Sequence, residues 1–324
     1  MIRTTRRALA GLAALPVLRP ALAQAPWSPT RPVRLLVGFP PGGAADTVAR
    51  RIAEALTPSL GQPVVVENRP GAGAQIAVDA VAKAAPDGQT IGLSPVGPLV
   101  VNPVLTPTRM PYDAANDFTV LAHVWDQPNV LVGSLAVPAE GQAFLAWLRA
   151  RPEEPFASVG NGSSNHLTGE LLSRALGLRM QHVVYRGSPA ALTEIMAGRI
   201  NLFVDNVLTA LPLVRDGRIR AIAVTTAERA QALPDVPTMA ELGVPQATVS
   251  SWQVVLGPAR LPPAVVERYS TELDKAIRAP EMVAWMSSIG ARAIGGGAPA
   301  AQAMVARERA RWARDIPAMN ISVD

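Results

Sequence analysis

Two segments of this chain leave an apolar run through a glycine turn and enter a helical pattern at once, an arrangement that can hold an anion with main-chain groups. The first is Phe39-Pro40-Pro41-Gly42-Gly43-Ala44-Ala45-Asp46-Thr47. Glycines let the backbone approach a ligand closely. The N–H groups of a first helical turn lack intrahelical acceptors, and the helix dipole favours negative charge at that end. Two prolines stiffen the turn, so little order is lost on binding. The N–H groups of this first helical turn are therefore candidate ligand contacts. A carboxylate suits this turn better than a phosphate. Ala-Ala-Asp stands where a Walker loop needs lysine and a hydroxyl residue, and the G-x-G-x-x-G spacing is missing. Asp46 itself reads either as a helix-capping acid or as a ligand contact.

The second segment, Ser158-Val159-Gly160-Asn161-Gly162-Ser163-Ser164-Asn165-His166-Leu167, repeats the logic. It offers Ser163, Asn165 and main-chain N–H groups. One such turn is more often a simple cap, but two in one chain point to a clamp that takes a carboxylate from both sides. Asp205 ends the apolar run Asn201 to Val204. A carboxylate at the C-terminal end of a parallel strand faces the crevice where ligands bind, and there it can accept from an ammonium, a hydroxyl or water. His123, His166 and His182 lack metal-ligand spacing, so neither a metal nor another cofactor is expected. The rival reading is a hydrolase of a small ester or amide, with Ser163, His166 or His182, and Asp205 as a triad. It lacks the G-x-S-x-G elbow.

The elements that must position these residues alternate. Short β-branched runs at Val33–Phe39, Val64–Glu67, Thr90–Leu93, Leu121–Val124, Val130–Gly133, Phe156–Val159, His182–Tyr185, Asn201–Asp205, Ile219–Thr225 and Gln253–Gly257 read as strands. Helical patterns lie between many of them, which predicts an α/β fold of βαβ units with parallel sheets covered on both faces. Val48, Ile52, Ala55 and Leu56 form one buried stripe after Gly43. Leu167, Leu171, Leu172, Ala175 and Leu176 form another, which Gly177 stops. The C-terminal third reads as helical, opened by Pro262-Pro263 and interrupted at Pro280. A mature chain of about 300 residues exceeds the usual size of one core, so two lobes are expected. Placing the crossings near His123–Gln127 and Ser250–Val254 gives a discontinuous first lobe, 26–124 plus 251–324, and an inserted second lobe, 125–250.

Residues 1–25 read as an export signal: Arg3, Arg6 and Arg7, an apolar stretch from Ala8 to Val17, and the small-residue exit Ala23-Gln24-Ala25. The Arg6-Arg7 pair also permits twin-arginine export. Pro16, Arg19 and Pro20 keep the stretch short of the roughly 20 residues that span a bilayer. The segment carries four arginines and no acid, so its removal takes the formal charge from +5 to +1. Nucleic-acid binding is not expected, because no basic face with stacking aromatics is visible. Cysteine is absent, which excludes disulfides and thiolate sites.

The chain resembles the periplasmic receptors of tripartite tricarboxylate transporters, the Bug-type solute-binding proteins. The resemblance rests on Val33 through Gly43 with Asp46, on Gly61-Gln62-Pro63-Val64-Val65-Val66-Glu67-Asn68-Arg69-Pro70-Gly71-Ala72-Gly73, and on Pro86-Asp87-Gly88. It continues through Met110-Pro111-Tyr112-Asp113, His166-Leu167, His182-Val183-Val184-Tyr185-Arg186-Gly187 and Leu233-Pro234-Asp235-Val236-Pro237-Thr238. It implies a two-lobed periplasmic-binding-protein fold, a Venus flytrap of type II-like form, with a carboxylated or amino-acid-like solute between the lobes. The ligand carboxyl would be held at Phe39, Gly43 to Asp46, Gly162, Ser163, Asn165, His166 and Asp205, partly through water. The resemblance further implies a monomeric periplasmic receptor that is not an enzyme and serves a membrane transporter or sensor. Arg186 and Val184 stand where such receptors often carry Lys and Pro.

Overall fold

The computed structural model describes residues 27–319, so the expected export segment, residues 1–25, lies outside the described residues. β1 (Val33–Val37) is buried along nearly its whole length. The turn after it leads into α1 (Ala44–Leu60), which lays Val48, Ile52 and Leu56 on one fully buried face. Gly61, in the left-handed conformation, stops the helix by donating its N–H to the Thr57 carbonyl. β2 (Val64–Asn68), α2 (Gln75–Ala82) and β3 (Thr90–Pro95) follow, and β2, β1 and β3 lie side by side in parallel.

A short helical stretch ends in α3 (Asn102–Leu105) and a turn at Pro107–Arg109 before β4 (Phe118–Gly133). Beyond it come α4 (Gly141–Arg149), β5 (Pro155–Ser158), α5 (Ser164–Ala175) and β6 (Gln181–Val184). α6 (Ser188–Met196), β7 (Leu202–Asn206), α7 (Val207–Arg215) and β8 (Arg220–Val224) complete that part, in which β6, β5 and β7 are parallel. β9 (Ser250–Pro258) returns along β4. α8 (Pro263–Arg278), α9 (Pro280–Ser288), β10 (Arg292–Ala293) and α10 (Gly297–Met319) finish the described chain.

The strands join in the order β2-β1-β3-β9-β4-β7-β5-β6, with β8 and β10 also paired to β4, and the fold is two-lobed. One core packs α1 against Leu35, Val37, Trp125 and Tyr269, another packs Phe203 against Ala191, Ile195 and Leu211, and a third contains Phe156, Leu167, Trp252 and Trp312.

Two expectations are corrected. Leu121–Val124 and Val130–Gly133 are not separate strands but parts of β4. The polar run Asp126 to Asn129 breaks the apolar pattern yet stays extended, because Asp126, Gln127 and Pro128 pair with Trp252, Ser251 and Ser250 while Asn129 pairs with Asn206. The sheets are also mixed and not wholly parallel. β4 runs antiparallel to β9, β7 and β8, and β3 antiparallel to β9. The return strand β9 retraces β4, so the segments linking the two parallel sets must run in opposite directions.

Candidate functional site

Both glycine turns sit at the C-terminal ends of parallel strands, and both open helices. Gly42 has a φ of 81°, a conformation that favours glycine, and so aims the N-terminus of α1 at the cleft. Thr47 N–H donates to the Gly43 carbonyl at 3.0 Å, which leaves the N–H groups of Ala44 and Ala45 ahead of the helical ladder. At α5, Ser163 is the cap: its hydroxyl accepts from His166 N–H at 3.2 Å and its carbonyl from Leu167 N–H at 3.0 Å. The N–H groups of Ser164 and Asn165 remain outside that ladder. Phe39, Gly43, Ala44, Ala45, Ser163 and Asn165 all line one cleft. Two positive helix ends thus converge with main-chain donors, which suits a carboxylate.

The other four expected contacts do not line this cleft. Asp46 is 3% exposed and both its oxygens are engaged. Gly42 N–H and Arg50 Nε donate to Oδ2, each at 3.0 Å; Arg50 and Asn68 donate to Oδ1 at 2.8 and 2.9 Å. Burial opposes its ionisation, but these donors outweigh it and hold the carboxyl below the usual carboxylate range. Asn68 also donates to the Phe39 carbonyl at 3.0 Å. Asp46 therefore ties the turn to α1 and β2. Gly162 N–H donates to His166 Nδ1 at 3.1 Å, so this ring nitrogen is unprotonated, and the ring braces the second turn from behind. His166 stacks on His182 with centroids 4.0 Å apart. Burial pushes His166 down to about 3, helped by His182, and His182 down to about 4.

Asp205 is fully buried and accepts from Ser188 Oγ at 2.5 Å and Thr209 Oγ1 at 2.7 Å. Burial pushes it up to about 6 against those donors. It does not reach the cleft itself, but Ser188, which it holds, does.

The triad considered from the sequence is not assembled. Ser163 Oγ donates to the Gly160 carbonyl at 2.7 Å, His182 Nε2 pairs with Ser158 Oγ at 2.5 Å, and Asp205 holds Ser188 and Thr209. No group of three or more potential metal-ligating His, Asp or Glu side chains occurs among the described residues.

Residues that sequence reasoning missed add polar groups to the wall: Ser188, Asn206, Ser251 and Gln253. Asn206 Nδ2 donates to Asn129 Oδ1 at 2.6 Å, while Gln253 Oε1, Asn129 Nδ2 and both ends of the Gln127 amide are buried without partners. Amides inside otherwise apolar strands were the available signal, since buried polar groups are ordinarily paired.

Known proteins resemble this chain in sequence and fold. The tripartite tricarboxylate transporter family receptor matches residues 48–321. The protein encoded in the tcbD-tcbE intergenic region of a Pseudomonas strain is 39% identical over 95% of this chain and 92% of its own length. Protein BugT of Bordetella pertussis is 36% identical over 88% of each. Among solved structures, periplasmic binding protein BugD superposes with a TM-score of 0.85 at 30% identity, covering 91% of this chain and 99% of BugD. A Rhodopseudomonas palustris protein solved with adipate gives 0.86 at 34% over the same shares. MatC of that organism, solved with bound malate, gives 0.83 at 30% over 88% of this chain and 98% of its own. With two helix N-termini facing one cleft between two lobes, the chain belongs to the tripartite tricarboxylate transporter receptors of Bug type, the periplasmic solute-binding receptors.

Proposed function

We propose that this receptor captures a small carboxylate by its carboxyl head, using the main-chain N–H groups of Ala44 and Ala45 on one side and of Ser164 and Asn165 on the other. The convergence of the two helix N-termini on one cleft carries this reading. Phe39, Gly43 and Ser163 complete the wall, whereas Asp46, Gly162, His166 and Asp205 act from behind by holding the loops in shape. Relatives solved with adipate and malate support a carboxylate as the class of solute.

The lobes of this reading are 26–124 plus 251–324 and 125–250. The change of β4 from pairing with β9 to pairing with β7 and β8 supports that division. Docking on one lobe followed by closure brings the second set of donors onto the ligand, and the closed form is what a membrane transporter or sensor recognises. The chain acts as a periplasmic monomer after residues 1–25 direct its export by the general secretory or the twin-arginine route.

A thermal-shift panel of carboxylates, amino acids and neutral amides tests the reading. A bound carboxylate stabilises the folded chain in a saturable manner, by about 2.7 kcal/mol at a concentration 100 times Kd, and is recovered unchanged. Stabilisation by the amides alone, or turnover of a matching ester, would refute it.

A further inference from the structure

The clamp is small and adjoins a larger space. Its volume is about 30 Å³, and a water needs roughly 10–15 Å³ on such a measure, so a carboxylate head fits there but the body of a solute does not. A second chamber of about 250 Å³ shares Phe39, Gly73 and Val159 with the clamp. A cavity of about 150 Å³ already takes a benzene ring. The rest of the solute can therefore extend into that chamber, past three residues that carry no charged group.

The walls of that chamber have a definite chemistry. Arg109, from the turn after α3, and Arg186, from the loop after β6, both line it, and no aspartate or glutamate does. Neither arginine has an ion-pair partner among the described residues. Asn102 also lines the chamber, with its carboxamide oxygen buried against Gly162. Closing the cleft around two cations and no anion concentrates like charge, which a second acidic group would neutralise.

We propose that this chamber is the subsite for a second anionic group of the solute, read by Arg109 and Arg186, so that the receptor selects dicarboxylates over monocarboxylates of equal length. The inference rests on the carboxylate capture proposed above. A monocarboxylate would leave both arginines without counter-charge and place its methyl end between them.

Calorimetric titration of the full chain with matched pairs, butanoate and succinate, hexanoate and adipate, octanoate and suberate, tests it. For at least one length the diacid should bind tenfold or more tightly than its monoacid. Arg109→Gln and Arg186→Gln should each cut that ratio at least threefold, and Arg109→Lys should cut it less than Arg109→Gln. The variants are checked by melting temperature, and because the two substitutions lie in different loops, either one that folds suffices. Equal binding of mono- and diacids by the native chain overturns the subsite while leaving carboxylate capture standing, and so does a ratio that survives the double substitution. Failure of every probe to bind overturns carboxylate capture itself, and the subsite with it.

Discussion

Gly97 and Gly162 meet across the cleft so closely that a Cβ added at Gly97 would lie 3.0 Å from the Gly162 carbonyl oxygen. Gly97 belongs to a helical turn and lines the clamp, so a methyl group there suits its own helical turn but presses on the backbone of the opposite loop. Gly97→Ala is expected to leave the apo melting temperature nearly unchanged, because the gain of up to about 1 kcal/mol of alanine over glycine in a helix offsets the tight contact with Gly162, and to weaken carboxylate binding severalfold. Titration paired with apo thermal unfolding checks this; unchanged affinity would show that the two loops need not approach this closely.

The stacked pair His166 and His182 sets a pH dependence. Their pKa values fall from the ordinary 6.5 to about 3 and about 4 in the folded chain, so between those values and 6.5 the unfolded chain binds more protons. Stability contributed by the neutral rings is complete above 6.5 and declines as pH falls below it. Denaturant unfolding at pH 7.5, 6.0, 5.0 and 4.0 should show that decline, and His182→Gln should flatten it. A slope identical in the variant would remove His182 from the account.

Asp205 works in the opposite sense. Its pKa is raised from 3.8 to about 6, so its contribution is present at low pH and lost as pH rises through 6. In the wild-type chain it therefore offsets part of the histidine loss on acidification. Asp205→Asn should make the decline from pH 6 to 4 steeper, and because it loosens the grip on Ser188 it should also weaken carboxylate binding at pH 7. A decline no steeper than wild type would argue that the buried carboxyl stays ionised.

The two glycine turns were legible in the sequence because everything they need is local: a strand exit, glycines, a cap and an apolar helical stripe within about a dozen residues. The wall made by Ser251, Gln253 and Asn206 was not, since β4 and β9 bring Gln127 opposite Ser251 and β4 and β7 bring Asn129 opposite Asn206. Such register between distant segments has no local signature. Asp46 was legible only as a pair of alternatives. Its partners Arg50 and Asn68, one helical turn away and in the next strand, decide in favour of holding the turn. Asp205 shows the limit of the strand-end rule: the strand end faces the crevice, but Ser188 and Thr209 enclose its carboxylate.

Removing the Asp46 carboxylate should therefore act on both stability and binding. Asp46→Ala strands Gly42 N–H, Asn68 and Arg50 at once, and hydrogen bonds to a charged group contribute about 1.5–3 kcal/mol each to stability, less where Arg50 is solvated. An expected loss of about 2–3 kcal/mol in apo stability accompanies a drop of at least tenfold in affinity, and Asp46→Asn, which keeps the acceptor toward Gly42, recovers part of both. Urea unfolding and titration of the same samples measure them. Lost affinity with wild-type stability would instead make Asp46 a direct contact.

β4 runs on from its pairing with β9 in one sheet to its pairing with β7 and β8 in the other, and the third apolar core gathers Phe156 and Leu167 with Trp252 and Trp312. Neither lobe can melt without stripping hydrogen bonds and packing from the other. The chain should thus unfold as one cooperative unit despite its size, with calorimetric and van't Hoff enthalpies in agreement. A cavity cut in one lobe, as by Phe203→Ala, would then lower the melting of both together, so the empty receptor can flex at β4 without ever exposing a half-unfolded lobe to proteases.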